Sequence, residues 1–312
     1  MKILIIHKVH PILTKLLTNA AYLVDEKLGL SRHQVLEILP NYDALIVRSA
    51  LKVDKEVIDA GCNLKLIGRL GAGMENIDSD YAISKKIKLI NAPEGNRSAV
   101  GEQTVGMLIS LFNNLNKADK EVRNGIWLRE ENRGEEIEGK TIGIIGYGNM
   151  GSAFARKISG FGARLIAYDK YKSNFSDDYV KEVSLENILK YSDIISLHVP
   201  LQEDTYHMID DSFINSCKNG VYIINTARGA VINTKDFVAG LKNHKIKGAC
   251  LDVLEFEGMS FEDINSNNIN EDFVFLTKAK NVILSPHIAG WTHQSNEKMA
   301  VVLAEKIILL FN

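Results

Sequence analysis

The sequence predicts an α/β protein built from two doubly wound parallel sheets, and three observations carry that reading. Short apolar runs alternate with amphipathic helical stretches along the whole chain. A glycine-rich turn joins one such run to one such helix near the middle rather than at the start. A long apolar helix then follows after the second series of strands is complete. Alternation of this kind implies parallel strands with helices over both faces.

Taken in order, 2–7 reads as a first strand, followed by a helix after Pro11 and another opened by Ser31, with Gln34 three residues on as a capping box. Strands are expected at 44–48, 64–69 and 88–92, with a short helix at 54–60 between the first two. A long helix is expected over 98–122, with Val105, Leu108, Ile109 and Phe112 on one face. The segment 125–139 is charged and aperiodic but carries Trp127, so two readings fit: a solvated linker, or an arm packed against a second subunit.

The central turn is the most informative feature. A buried strand at 142–145 runs into Gly146-Tyr-Gly-Asn-Met-Gly151, and a helix follows over 149–161. Gly146 permits the tight bend, Gly148 lets backbone approach a pyrophosphate, and Gly151 lets the helix pack on the strand. The helix N-terminus is then aimed at the anion. A second strand, 164–169, ends on Asp169, at the offset of about twenty residues expected for a carboxylate that binds the ribose 2′-hydroxyl. Together these specify a nicotinamide or flavin dinucleotide site.

Further strands are expected at 194–199, 221–225, 248–253 and 282–284, and a last helix at 294–310. That helix returns most economically to the N-terminal half, which makes the first domain discontinuous. The expected division is 1–98 with 287–312 for the substrate-binding domain, and 99–286 for the dinucleotide-binding domain.

Composition excludes several classes. With 37 basic and 39 acidic residues among 312, no large field draws the protein to nucleic acid or to an anionic membrane. The apolar start is too short for a signal sequence, and no stretch approaches membrane-spanning length. Cys62, Cys217 and Cys250 are widely spaced and lack metal-ligand patterning, so they read as reduced core thiols of a cytoplasmic protein, and no metal is expected.

Ligands of such sheets bind beyond the carboxyl ends of strands. Arg228, Glu257 and His287 each follow a strand of the second domain. They supply a carboxylate clamp, a carboxylate able to orient a base, and a general base, which is the set needed to oxidise a hydroxy acid.

With these residues in view, the chain resembles the D-isomer-specific 2-hydroxyacid dehydrogenase family over almost its whole length. The matching stretches are Gly146-Tyr-Gly-Asn-Met-Gly151, His198-Val-Pro200, Asn225-Thr-Ala-Arg-Gly229, Leu251-Asp-Val253 and Ser285-Pro-His-Ile-Ala-Gly290, in family order. The resemblance implies a Rossmann domain inserted into a discontinuous flavodoxin-like substrate domain, with NAD as cofactor and a homodimer as the assembly. It implies Arg228, Glu257 and His287 as the catalytic triad. It also implies a cofactor lined by Gly146, Gly148, Asn149, Met150, Gly151, Asp169, His198, Pro200, Thr226, Ala227 and Gly290, with Asp252 on the nicotinamide carboxamide.

Within the family the resemblance is strongest to the phosphoglycerate dehydrogenase branch, which serves serine biosynthesis. Segments 46–53 and 68–78 are similar to those whose arginines meet a substrate phosphate, here Arg48 and Arg69, and 125–129 resembles an arm that supplies an arginine across a dimer, here Arg129. The glycine-rich turn at Ala72 and Gly73 offers backbone amides to the substrate carboxylate. Ordinary strand-end charge is the plain alternative for Arg48 and Arg69.

The chain departs from that branch at Gly258, where proline is usual, at the long Asn-rich connection 261–280, and at Trp291, where smaller residues are common. It also ends soon after the last helix, so serine control through a C-terminal regulatory domain is not expected. A reductase of glyoxylate, hydroxypyruvate or another 2-keto acid is the rival within the class. A dinucleotide-sensing corepressor or scaffold is the rival outside it, opposed by the absence of long tails and basic patches.

Overall fold

The structure, a computed structural model, describes residues 1–258 and 270–311. The chain divides into two compact units. Among the described residues the first is 1–97 with 291–311, and the second is 98–258 with 270–290. The second crossing thus falls at Trp291, and residues 287–290 stay with the larger unit.

The smaller unit is a five-stranded parallel sheet of β1 (Lys2–Ile5), β2 (Leu23–Glu26), β3 (Ala44–Val47), β4 (Leu66–Arg69) and β5 (Lys88–Asn91), in the order β2-β1-β3-β4-β5. This is the flavodoxin-like order. Side chains alternate across the sheet. Leu4, Leu45, Val47 and Ile67 join one core cluster, while Ile3, Ile5, Ala44, Ile46 and Leu66 join the other. The helix His293–Phe311 buries Met299, Leu303 and Ile307 in that second cluster. Each such side chain contributes roughly 1.5–3 kcal/mol, which is why an apolar helix at the end of the chain settles on a sheet formed at its beginning. Lys306 fastens the same helix, donating to the Asn91 carbonyl at 2.9 Å and to the Glu94 carboxylate at 2.8 Å.

The larger unit is a seven-stranded parallel sheet. Its strands are β6 (Thr141–Ile145), β7 (Arg164–Tyr168), β8 (Lys181–Glu182), β9 (Ile194–Leu197), β10 (Val221–Asn225), β11 (Ile246–Leu251) and β12 (Val282–Leu284), in the order β12-β11-β10-β9-β6-β7-β8. The order in which successive strands are added reverses between β6 and β9, the crevice where dinucleotides bind in this architecture.

Three features differ from the sequence expectation. Strands β2 and β8 were not anticipated, because both lie at sheet edges and are polar or only half-buried, so they lack an apolar run. The helix expected over 98–122 is two helices, Pro93–Phe112 and Leu115–Arg123, broken at Asn114, whose φ of 51° is left-handed. Cys62 is exposed rather than in the core, while Cys217 and Cys250 are buried thiols. Burial pushes the Cys217 thiol up to about 12, so it is inert as a nucleophile. In the segment 125–139, Ile126, Trp127 and Leu128 are all exposed, Trp127 by 75%. The connection 261–280 lies partly outside the described residues.

Candidate active site

The dinucleotide turn is shaped by what a side chain would strike. Gly146 has a φ of +91°, and a Cβ there would lie 2.5 Å from the carbonyl oxygen of His198 at the end of β9. At Gly151 a Cβ would lie 2.0 Å from the carbonyl oxygen of Gly146, so strand and helix touch through backbone alone. Gly148 is the N-cap of the helix Asn149–Ile158, where no side chain caps the amides, and a Cβ there would meet nothing within 4 Å. These residues fit a pyrophosphate, since the amides of a ten-residue helix open onto room that no side chain fills.

Asp169 follows β7 and accepts from the backbone amides of Tyr147 at 2.8 Å, Tyr171 at 2.9 Å and Lys172 at 3.1 Å. Its carboxylate is thereby fixed beside the glycine turn. Both neighbouring lysines are occupied: Lys170 pairs with Asp204, and the Lys172 ammonium donates to the Tyr147 carbonyl at 2.9 Å.

His198 meets this crevice with its backbone, while its ring turns inward. Nε2 lies 2.9 Å from the Ser196 hydroxyl, and the ring packs 5.5 Å from Phe154. Burial drives its pKa down to about 3, so the imidazole is neutral. Pro200 is exposed beyond it and accepts at its carbonyl from the Thr205 hydroxyl.

Beyond β10, Asn225 organises the turn that carries Arg228. Its side chain accepts from the Ala227 amide at 3.0 Å and donates to the Arg228 carbonyl at 2.9 Å. Thr226 is buried, its hydroxyl 3.1 Å from that of Thr104 in the helix Pro93–Phe112. One Arg228 nitrogen, Nη1, donates to the Ala227 carbonyl at 2.7 Å. The next residue, Gly229, is pressed on the loop beyond β11: a Cβ there would lie 2.1 Å from the Leu254 carbonyl. Arginine turn and glutamate loop are therefore in backbone contact.

Glu257 and His287 meet directly, with Oε2 and Nδ1 2.7 Å apart. Both are mostly buried, with side-chain exposures of 16% and 22%. His287 has a left-handed backbone, φ 53°, and its amide donates to the Asp252 carbonyl at 2.7 Å. The buried Asp252 carboxylate accepts from the Ser285 hydroxyl at 2.6 Å, the Ile288 amide at 2.9 Å and the Ala289 amide at 2.8 Å. Asp252 thus shapes the loop that presents His287 and Gly290, a duty that no local pattern announced, since its partners lie 33 to 37 residues away. Among the described residues no cluster of three or more His, Cys, Asp or Glu side chains could hold a metal, and no helix is long and apolar enough to cross a membrane.

In the smaller unit, β3 and β4 pair with Val47 opposite Arg69, so Arg48 and Arg69 leave adjacent strand ends. Arg48 follows β3, next to the point where strand order reverses around β1; its amide donates to His7 Nδ1 at 3.2 Å. The Arg48 guanidinium stacks 4.5 Å from the Trp291 ring, and Nη1 donates to the Lys8 carbonyl at 3.3 Å. Arg69 folds over Gly71, the start of the turn that contains Ala72 and Gly73. Arg129 is exposed in the segment 125–139 of the larger unit.

The glycine turn, the Arg228 turn and the Glu257–His287 pair follow one another along the sheet of the larger unit, and comparison with known proteins gives the family. The NAD binding domain model of the D-isomer specific 2-hydroxyacid dehydrogenases matches residues 105–289, and the chain belongs to that family. It is 37% identical over 94% of its length to a hydroxypyruvate reductase from Thermotoga maritima, covering 93% of that protein. It is 34% identical over 91% of its length to a D-3-phosphoglycerate dehydrogenase from Archaeoglobus fulgidus, of which it spans only 52%. The crystal structure of a D-lactate dehydrogenase from Aquifex aeolicus complexed with NAD and lactic acid superimposes with a TM-score of 0.82, at 28% identity, over 99% of this chain and 94% of that one. The protein is an oxidoreductase, and its cofactor is NAD.

Proposed function

We propose that the protein interconverts D-3-phosphoglycerate and 3-phosphohydroxypyruvate, as the oxidising step that opens serine biosynthesis. The 2.7 Å contact between His287 and Glu257 supports the chemistry. The adjacent strand ends bearing Arg48 and Arg69 support the phosphate, because a guanidinium donates two parallel charge-assisted bonds to a phosphate.

In the oxidative direction Arg228 holds the substrate carboxylate. His287 accepts the proton of the C2 hydroxyl through Nε2. Glu257, bonded to Nδ1, fixes the tautomer and stabilises the imidazolium as it forms. When bound, NAD supplies the ring that accepts the C2 hydride. Gly146, Gly148, Asn149, Met150 and Gly151 hold its pyrophosphate, Asp169 its ribose, and Thr226, Ala227 and Gly290 line the rest.

Hydroxypyruvate or glyoxylate reduction is the second reading, favoured by two observations. Trp291 occupies the face of Arg48, and the full-length relative from Thermotoga maritima is a hydroxypyruvate reductase. NADH oxidation measured with phosphohydroxypyruvate, hydroxypyruvate and glyoxylate in parallel separates the two. Preference for the phosphorylated acid supports the first reading, parity or the reverse order supports the second, and no turnover with any of them favours a scaffold.

A cytoplasmic homodimer completes the proposal. The exposed run Ile126, Trp127 and Leu128 is an apolar patch of the kind an interface covers, and it would bring Arg129 to a second subunit. Light scattering of the purified protein tests it, and a monomer would refute it.

A further inference from the structure

A second histidine–carboxylate pair lies two residues upstream of Glu257. Glu255 Oε1 is 2.6 Å from His207 Nε2, while Oε2 accepts from the Thr234 hydroxyl at 2.6 Å and the Thr234 amide at 3.1 Å. Thr234 opens the helix Thr234–Lys242, so the carboxylate sits where a helix dipole favours negative charge. Both partners are three-quarters buried, with side-chain exposures of 27% and 26%.

His207 is itself held firmly. Its backbone is left-handed, φ 53°, its amide donates to the Ala230 carbonyl at 2.8 Å, and Tyr206 stacks on its ring at 4.0 Å. Ala230 belongs to the short helical turn Gly229–Val231 that directly follows Arg228. His207 therefore touches both segments that carry the reactive groups: the arginine turn through its backbone and the glutamate loop through its ring.

That loop is a single tight turn, in which the Glu257 amide donates to the Leu254 carbonyl at 3.2 Å. Its residues are anchored one by one. Leu254 abuts Gly229, Glu255 is clasped by His207 and Thr234, Phe256 packs edge-on against Phe273 at 5.5 Å, and Glu257 meets His287. Glu255 and Glu257 share one turn, so a rotation that frees the first moves the second relative to His287.

We infer that Glu255, clasped by His207 and Thr234, is a positioning residue that sets the Glu257–His287 contact and keeps the Arg228 turn in register with it. This rests on the reading of Glu257 and His287 as the acid–base pair. A misplacement near 1 Å far from the reacting atoms can cost about a hundredfold in rate.

The test compares Glu255→Ala, Glu255→Gln, His207→Gln and Glu257→Gln. For each, kcat against pH is measured in the reductive direction with whichever of phosphohydroxypyruvate, hydroxypyruvate and glyoxylate the wild type reduces fastest. NADH affinity is measured by fluorescence. Glu255→Ala is expected to lower kcat by about 10- to 100-fold, to move the same limb of the pH profile that Glu257→Gln moves and in the same direction, and to leave NADH affinity unchanged. Glu255→Gln, which still accepts from Thr234 and bonds His207, should restore most of both. His207→Gln should show the same shift in smaller degree, and it carries the test if Glu255→Ala does not fold.

A wild-type profile in Glu255→Ala or, failing that variant, in His207→Gln overturns the inference. So does a loss of kcat without a shift of the limb. If Glu257→Gln itself leaves the profile unmoved, the acid–base reading fails and takes this inference with it. If Glu257→Gln shifts the limb and the Glu255 variants do not, only the positioning role is lost.

Discussion

His287 and Glu257 are joined by a 2.7 Å contact between Nδ1 and Oε2, and the backbone of the histidine is held in a left-handed conformation to make it. A non-glycine residue there costs roughly 1–2 kcal/mol, which the bonds converging on Asp252 offset. With Nδ1 committed to the carboxylate, Nε2 is the ring atom that the proposed mechanism uses to exchange a proton with substrate.

His287→Ala is accordingly expected to lower kcat by about two to four orders of magnitude, the range for loss of a general acid–base group, with little effect on NADH binding. Glu257→Gln should act on the pH profile. In the reductive direction the proposed mechanism has His287 give a proton to substrate through Nε2 while Glu257 bonds the other ring nitrogen, so the variant should show a lower kcat and a pH–rate profile that differs from the wild type's. Steady-state rates across pH check both, and an unmoved profile in Glu257→Gln would remove that residue from the mechanism.

Cofactor choice should follow Asp169. A carboxylate fixed by three backbone amides accepts from a 2′-hydroxyl and repels a 2′-phosphate, and Lys170 and Lys172 are engaged with Asp204 and the Tyr147 carbonyl. NADH should be preferred over NADPH, and Asp169→Ala should raise the relative use of NADPH. Equal kcat/KM for both cofactors in the wild type would contradict the assignment.

His198 should make the fold acid-sensitive. Burial lowers its pKa from 6.5 to about 3, so below about pH 6.5 the unfolded chain binds a proton that the native state refuses. Its contribution is thus unfavourable increasingly as pH falls from 6.5 towards 3, and absent as a penalty above 6.5. A His198→Gln variant should lose stability less steeply over that window in denaturant titrations. An identical slope in variant and wild type would show that the ring is protonated in the folded protein.

Much of this was legible in the chain because its signals are local. The turn Gly146 to Gly151, the buried strand 221–225 and the Ser31–Gln34 capping box each declare themselves within a few residues, and the structure has all three. Pro93 and Glu94 are helix-start residues that place the long helix five positions earlier than expected. Its break at Asn114 left no trace in the apolar spacing, because the apolar residues on both sides continue and only the backbone dihedral changes. The partners of Asp252 and the clasp of Glu255 on His207 were out of reach for another reason. They are side-chain bonds across 33 to 48 residues, fixed only when the strands beneath them align.

Arg48→Ala and Arg69→Ala, each assayed with phosphohydroxypyruvate and with hydroxypyruvate, decide whether the substrate carries a phosphate. Each bond to a charged group contributes about 1.5–3 kcal/mol, so KM for the phosphorylated acid should rise by roughly tenfold or more while hydroxypyruvate is barely affected. Equal losses for both acids, or a wild type that reduces hydroxypyruvate as well as the phosphorylated acid, would contradict a phosphorylated substrate and leave only the broader 2-hydroxyacid dehydrogenase.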